Sequence, residues 1–210
     1  MANPGDTEKL TDEISRRFNV RATRYDNPLT AYIGERELRI IRQFVPVGAD
    51  VLDYGCGTGR TALDHLHRGC KLTAFDISSK MLAIAEAKAR HMGYSAEFTS
   101  DQDQLLGRQW PLVTCIGVMD YYPDPYPLLN SLCNYLQESG RLILTFPNAL
   151  SPLGWLYMAA SRMTIPATAR TPRFIRSLAN QVKLQVVALR YAFPQIAPFG
   201  HTLVVALQKQ

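Results

Sequence analysis

Three glycines at alternate positions, Gly55, Gly57 and Gly59, follow the apolar run Val51-Leu52-Asp53-Tyr54 and precede a helical pattern. Residues without a Cβ let a backbone bend sharply and approach a ligand closely, so this stretch has the composition of a nucleotide-cofactor cradle. Asp76 stands twenty-one residues past Gly55, at the end of the next apolar run, Leu72-Thr73-Ala74-Phe75. A carboxylate placed there can accept hydrogen bonds from both hydroxyls of a ribose.

Spacing narrows the ligand. A dinucleotide site has G-x-G-x-x-G, with a helix N-terminus facing a pyrophosphate. Here the spacing is G-x-G-x-G, and Asp53 lies two residues before the first glycine. A carboxylate at that point repels a pyrophosphate and suits a cation such as the ammonium of an amino acid. A tight strand-to-helix turn that binds nothing is the alternative reading.

The stretch 51–60 resembles motif I of the class I S-adenosylmethionine-dependent methyltransferases, and Ala74-Phe75-Asp76-Ile77-Ser78 is similar to the segment that follows it. The resemblance covers roughly residues 45 to 148. It implies a Rossmann-like α/β fold, a seven-stranded, mostly parallel sheet closed by an antiparallel C-terminal strand pair. It also implies S-adenosyl-L-methionine as donor and S-adenosyl-L-homocysteine as product. The implied cofactor residues are Gly55, Cys56, Gly57 and Gly59 along the methionine part, with Asp53 ordering either the turn or the ammonium. Asp76 would take the ribose. Ile77 and Met81 would face the adenine or simply pack in the core, Asp101 with Gln102 would meet the adenine amino group, and Ile116 completes the set. Tyr25, in Arg21-Ala22-Thr23-Arg24-Tyr25-Asp26, resembles a tyrosine-aspartate pair of quinone-type methyltransferases, whose N-terminal helix folds over the cofactor.

The run Leu112-Val113-Thr114-Cys115-Ile116-Gly117-Val118-Met119-Asp120-Tyr121-Tyr122-Pro123 is similar to the fourth motif of small-molecule methyltransferases, with Trp110-Pro111 where an acid is common. The resemblance places Asp120 and Tyr121 nearest the transferred methyl group and makes them the catalytic candidates. Methyl transfer from a sulfonium is an in-line displacement with a neutral leaving group, so alignment of the reacting atoms at about 3 to 3.5 Å supplies most of the rate. Asp120 could accept the acceptor's proton or orient it; a turn cap beside the prolines is the other reading. The four histidines show no shared face: His65 and His67 are two apart on one helix, which argues against a common metal, and no metal site is implied. His201 opens the last strand and could line the pocket.

Helical spacing marks Asp12 to Phe18, Thr30 to Phe44, Thr58 to Arg68, Ser78 to Met92, Leu128 to Leu136, Ser151 to Arg162 and Pro172 to Gln181. Strand-like runs lie at about 50 to 54, 71 to 76, 94 to 99, 112 to 118, 141 to 146, 184 to 190 and 202 to 207. Thr58 and Ser78 are the expected N-caps, Gly93 and Gly140 the expected helix ends. Alternating strands and helices predict one α/β domain with right-handed crossovers. Residues 1–45 form a helical cap, 46–147 the cofactor-binding core, 148–181 a helical insertion over the acceptor, and 182–210 the final strands.

Composition adds a polarity along the chain. Residues 1–138 hold all 18 acids and 15 of the 23 basic residues, while 139–210 hold 8 basic residues and no acid. A basic third fits a solvated face, an anionic acceptor, an acyl carrier or an anionic bilayer. The end of strand four, Asp120-Tyr121-Tyr122-Pro123, lacks the run of Asp or Asn, two prolines and an aromatic residue found in nucleic-acid amino-methyltransferases, so nucleic acid is disfavoured as a partner. No apolar run reaches about eighteen residues and Met1 to Thr11 is polar, which predicts a cytoplasmic protein. Cys56, Cys70, Cys115 and Cys133 show no C-x-x-C spacing and suit small core positions in a reducing compartment. The expected activity is methyl transfer to an O, N or C atom of a small, largely apolar acceptor. A non-methylating cyclisation on the same fold and a nicotinamide oxidoreductase are the alternatives.

Overall fold

The computed structural model of the chain describes residues 4–26, 28–163 and 165–209, so the first three residues of the polar N-terminal stretch lie outside the described residues. The apolar runs form β1 (Asp50–Tyr54), β2 (Lys71–Phe75), β3 (Glu97–Thr99), β4 (Trp110–Cys115) and β5 (Leu136–Pro147). The last two strands are β6 (Leu184–Ala192) and β7 (Thr202–Lys209). They make one seven-stranded sheet in the order β3-β2-β1-β4-β5-β7-β6. The first five strands pair in parallel, and β7 runs antiparallel to both β5 and β6, as the resemblance implied.

Successive side chains of a strand point to opposite faces, so each central strand feeds two cores. Leu52, Val113, Leu142 and Leu144 enter one; Val51, Leu112, Ile143 and Val204 enter the other. The first is covered by α1 (Pro4–Arg21), α5 (Tyr126–Asn134) and α7 (Pro172–Gln181), through Ile14, Leu129, Leu132 and Ile175. The second is covered by α2 (Pro28–Ile41), α3 (Arg60–His67) and α4 (Ser79–His91), through Ile41, Leu66, Leu82 and Ala85. With both faces covered, the central strands are mainly apolar, and the buried polar side chains Asp53 of β1 and Thr114 of β4 pair with each other. The strand order reverses between β1 and β4, so the open crevice of the sheet lies at their carboxyl ends. α6 (Pro152–Ser161) and α7 fill the stretch between β5 and β6.

Several boundaries differ from expectation, each for a local reason. α3 starts at Arg60 because Gly59, at φ 94°, is its N-cap. Thr58 instead donates its hydroxyl proton to Asp26 at 2.7 Å. β4 ends at Cys115, since Gly117 at φ 70° turns the chain into a short 3-10 turn, Met119–Tyr121. Gly140 does not end a helix: α5 stops at Asn134, and Gly140 lies in a bulge of β5 where Trp110 pairs with Leu136 and Leu112 with Arg141. A Cβ on Gly140 would stand 2.7 Å from the Gln137 carbonyl oxygen. α1 spans 18 residues, longer than its apolar periodicity, and β3 keeps only Glu97–Thr99. Ser78 caps α4 as expected, its Oγ accepting from the Met81 amide at 3.2 Å, and Gly93 at φ 77° ends the same helix region.

Candidate active site

The glycine turn leaves β1 with the Gly55 and Cys56 amides both donating to the Phe75 carbonyl, at 2.7 and 2.9 Å. That pins the turn to the end of β2, beside Asp76. Gly57 takes φ 55°, and a Cβ there would meet no protein atom within 4 Å. Its glycine is required by the backbone and leaves open space above. Asp76 is 8% exposed; its Oδ2 accepts from the Gly57 amide at 2.7 Å and its Oδ1 from the Ser78 amide at 2.8 Å. Burial raises its pKa, and the two amide hydrogen bonds oppose that rise. Each carboxylate oxygen keeps acceptor capacity after these bonds, which fits the carboxylate to a diol.

Asp53 occupies a different place. It is 1% exposed and lies beneath the turn, where Thr114 Oγ1 donates to Oδ1 at 2.7 Å. Its Oδ2 has no partner among the described residues, and burial pushes its pKa up to about 7. His65 Nε2 meets the same Thr114 oxygen at 3.2 Å. Because the threonine proton goes to Asp53, Nε2 carries the imidazole proton, and burial holds the His65 pKa down at about 4.

A cavity of about 560 Å³ opens above the carboxyl ends of β1, β2 and β4. That volume suits a drug-sized ligand. One end is walled by Gly55, Cys56, Gly57, Asp76, Ile77 and Met81, the other by Asp120, Tyr157, His201 and Thr202, with Ile116 and Tyr121 between. Asp53, Gly59, Asp101 and Gln102 do not line it. Asp101 caps its own 3-10 turn, accepting from the Asp103 amide at 3.0 Å, and Gln102 Nε2 donates to the Tyr135 hydroxyl at 3.3 Å.

The N-terminal segment roofs the glycine end. Ser15 donates to the Ile77 carbonyl at 2.8 Å, and Asn19 Oδ1 accepts from Ser78 Oγ at 2.9 Å and from the Lys80 amide at 3.1 Å. Lys88 Nζ then bridges Asp26, at 2.6 Å, to the Thr58 carbonyl, at 3.0 Å. Phe18 makes edge contacts with Tyr25 and Tyr121, ring centroids 5.9 and 5.2 Å apart. Tyr25 therefore stands where it lines the cavity, 36% exposed.

At the far end Asp120 is 4% exposed. Its Oδ2 accepts from the Tyr157 hydroxyl at 2.9 Å, while Oδ1 has no partner among the described residues. Burial pushes its pKa up to about 6, against the Tyr157 hydrogen bond. A group poised there can take or give a proton near neutrality.

A second array was not legible in the sequence. Arg60 Nη1 donates to Glu37 Oε2 at 2.8 Å, and Thr202 Oγ1 donates to Glu37 Oε1 at 2.8 Å. His201 Nδ1 lies 2.8 Å from that same Thr202 oxygen. The single threonine proton is committed to Glu37, so Nδ1–H donates and the neutral ring presents Nε2 as a lone-pair base. Burial lowers the His201 pKa, with Glu37 opposing. Its ring stands edge-on to Tyr157, centroids 5.3 Å apart, so both proton-handling groups share one end of the cavity. The one local signal for this array is Gly34 inside α2: a Cβ there would lie 2.1 Å from Arg60 Nη1.

Comparison with known proteins bears on the family and the fold. Ubiquinone biosynthesis O-methyltransferase of Xanthomonas axonopodis pv. citri is 27% identical over 142 residues, 63% of this chain and 59% of that protein. The protein of the same name from Sodalis glossinidius is 26% identical over 113 residues, 52% of this chain and 45% of its own length. The chain thus spans about half the length of these relatives. Magnesium protoporphyrin IX methyltransferase from Synechocystis PCC 6803, solved with bound SAH, superposes with a TM-score of 0.72 at 19% identity, covering 96% of this chain and all of that one. A possible histamine N-methyltransferase of Thermotoga maritima gives a TM-score of 0.70 at 17% identity, over 93% of this chain and 99% of its own. Residues 28–189, well over half of the sequence, match the family described as Methyltransferase domain, and the chain belongs to that family.

Proposed function

We propose that the protein transfers a methyl group from S-adenosyl-L-methionine to an oxygen of a small, largely apolar acceptor. The observation that carries this reading is the single cavity that joins the Asp76 and glycine end to the Asp120, Tyr157 and His201 end. The residues fit the cofactor: Asp76 offers acceptor oxygens to a ribose diol, Gly57 leaves the space a Cβ would fill, and Ile77 and Met81 offer apolar walls. When bound, S-adenosyl-L-methionine supplies a methyl group on a sulfonium and leaves as S-adenosyl-L-homocysteine. Asp53, buried with one unpaired oxygen beneath the turn, orders the strand end that carries the glycines.

At the acceptor end the chain supplies proton handling. A hydroxyl or carboxylic acid must lose its proton as the O–C bond forms, and Asp120 Oδ1 or His201 Nε2 can receive it. Phe18, Tyr25 and Tyr121 form an aromatic wall of the cavity against which an apolar acceptor can be aligned for the displacement. Oxygen as the methylated atom is also supported by the relatives named as ubiquinone biosynthesis O-methyltransferases. The test is calorimetric titration with S-adenosylhomocysteine, then a screen of phenols, carboxylic acids and amines with methyl-tritiated donor. Labelled ether or ester is the expected product. Stabilisation by NADH with no response to S-adenosylhomocysteine would overturn the reading.

A further inference from the structure

The helix that supplies Tyr157 to the cavity is itself half uncovered. Along α6 the positions turned inward are Gly154, Tyr157, Met158 and Ser161, at the i, i+3, i+4, i+7 spacing of one helical face. A Cβ on Gly154 would lie 2.3 Å from the Asn148 carbonyl, so this face is pressed against the chain. Turned outward are Leu153, 40% exposed, Trp155, 59%, and Leu156, 66%, followed by Met163 at 90%. No residue from Pro152 to Ser161 is charged. Trp155 satisfies its one donor internally, Nε1 to the Ala149 carbonyl at 2.7 Å, which leaves its ring bare.

The β6–β7 loop enlarges this surface. Ser151 Oγ donates to the Phe199 carbonyl at 2.7 Å, and Asn148 Nδ2 donates to the Pro198 and Gly200 carbonyls at 2.7 and 2.8 Å. These bonds hold Ile196, 61% exposed, and Phe199, 53% exposed, beside the start of α6. An uncharged patch of this extent marks a contact site. From Ser139 to the end of the chain there are 8 basic residues and no acid, and exposed Arg162 directly follows α6.

We propose that α6 and the adjoining 196–199 loop form a docking surface for an anionic lipid bilayer. Apolar side chains without donors or acceptors enter the acyl boundary with no hydrogen bonds to replace, and exposed Arg162 at the end of α6 meets anionic headgroups. An acidic protein would satisfy Arg162 but would set its own polar surface against Leu153, Trp155 and Leu156. Because α6 also carries Tyr157, the docked face adjoins the acceptor end of the cavity, where an apolar acceptor dissolved in the bilayer could enter. That last step rests on the methyl-transfer reading; the docking does not.

The experiment is co-sedimentation of the full chain with phosphatidylcholine vesicles, alone or mixed with an equal amount of phosphatidylglycerol, while tryptophan emission is recorded. The chain has 2 tryptophans and Trp110 is 3% exposed, so a change in emission reports Trp155. The expected result is binding to mixed vesicles with a blue shift, weaker binding to phosphatidylcholine alone, and a loss of about tenfold or more in Leu153→Asp/Leu156→Asp. Arg162→Glu should weaken binding to mixed vesicles and leave the weak binding to phosphatidylcholine unchanged. S-adenosylhomocysteine titration of each variant separates a lost fold or a failed methyl-transfer reading from lost docking. Wild-type protein left in the supernatant with unshifted emission overturns the proposal. So does equal vesicle binding by the double variant, or a concentration-dependent dimer that the double variant abolishes in the absence of lipid.

Discussion

Replacing Asp120 by Asn should stabilise the protein increasingly as pH rises. In the folded chain burial lifts the Asp120 pKa from an ordinary 3.8 to about 6. The native state therefore binds the proton more tightly than the unfolded chain, and stability falls as pH rises from 3.8 to about 6, then levels off. At 1.36 kcal/mol per pH unit the full change amounts to about 3 kcal/mol. An asparagine keeps an oxygen to accept from Tyr157, which donates at 2.9 Å, and its amide nitrogen replaces an oxygen that already lacks a partner. Both proteins thus leave one buried atom unpaired, so the difference between them isolates the ionisation. Urea unfolding of both proteins from pH 4 to 8 reads it directly. The stability difference should move in favour of Asp120→Asn by about 2 to 2.5 kcal/mol between pH 4 and 7, with almost no further change above that. A difference independent of pH, or one that moves toward the wild type as pH rises, would refute the assignment of a buried, proton-sharing carboxyl at the acceptor end.

Three other substitutions test neighbouring parts of the cavity. Gly57→Ala places a Cβ at φ 55°, which should lower stability by about 1 to 2 kcal/mol, and because that Cβ meets no protein atom, calorimetry should find the larger loss in S-adenosylhomocysteine affinity. Tyr157→Phe removes the hydrogen bond that restrains the Asp120 pKa, so the alkaline rise of the pH–rate profile should move to higher pH at a stability loss of about 1 kcal/mol. Thr202→Val leaves Glu37 Oε1 and His201 Nδ1 without their shared hydroxyl, destabilising by about 1 to 3 kcal/mol. Nitrogen-15 NMR should then show the Nδ1–H tautomer of His201 in the wild type and a mixture in the variant.

Chain-local features were legible before the structure. Gly55 and Gly57 do form the turn and Ser78 does cap α4, because each of these depends on neighbours within a few residues; the bond from the Gly57 amide to Asp76, which ties the turn to the end of β2, was not legible. Boundaries set by competition between adjacent signals were less so: Gly59 displaces Thr58 as the cap of α3 because the left-handed backbone decides the helix start, and the hydroxyl finds Asp26 instead. Asp53 shows the limit of a motif, since its type matched but its side chain turns toward Thr114 rather than into the cavity. The Arg60, Glu37, Thr202 and His201 array joins α2 to the last strand across 165 positions, and no periodicity or spacing encodes a pairing at that range. Its trace is the otherwise unfavourable Gly34 within α2, where the Arg60 guanidinium needs the space.

The central claim, that the glycine turn and Asp76 hold S-adenosyl-L-methionine, is tested most directly by calorimetric titration of wild type and Asp76→Ala with S-adenosylhomocysteine. The account predicts binding by the wild type and a loss of more than tenfold in the variant, a factor that corresponds to about 1.4 kcal/mol or more. No binding by the wild type, or equal affinity in the two proteins, would contradict it.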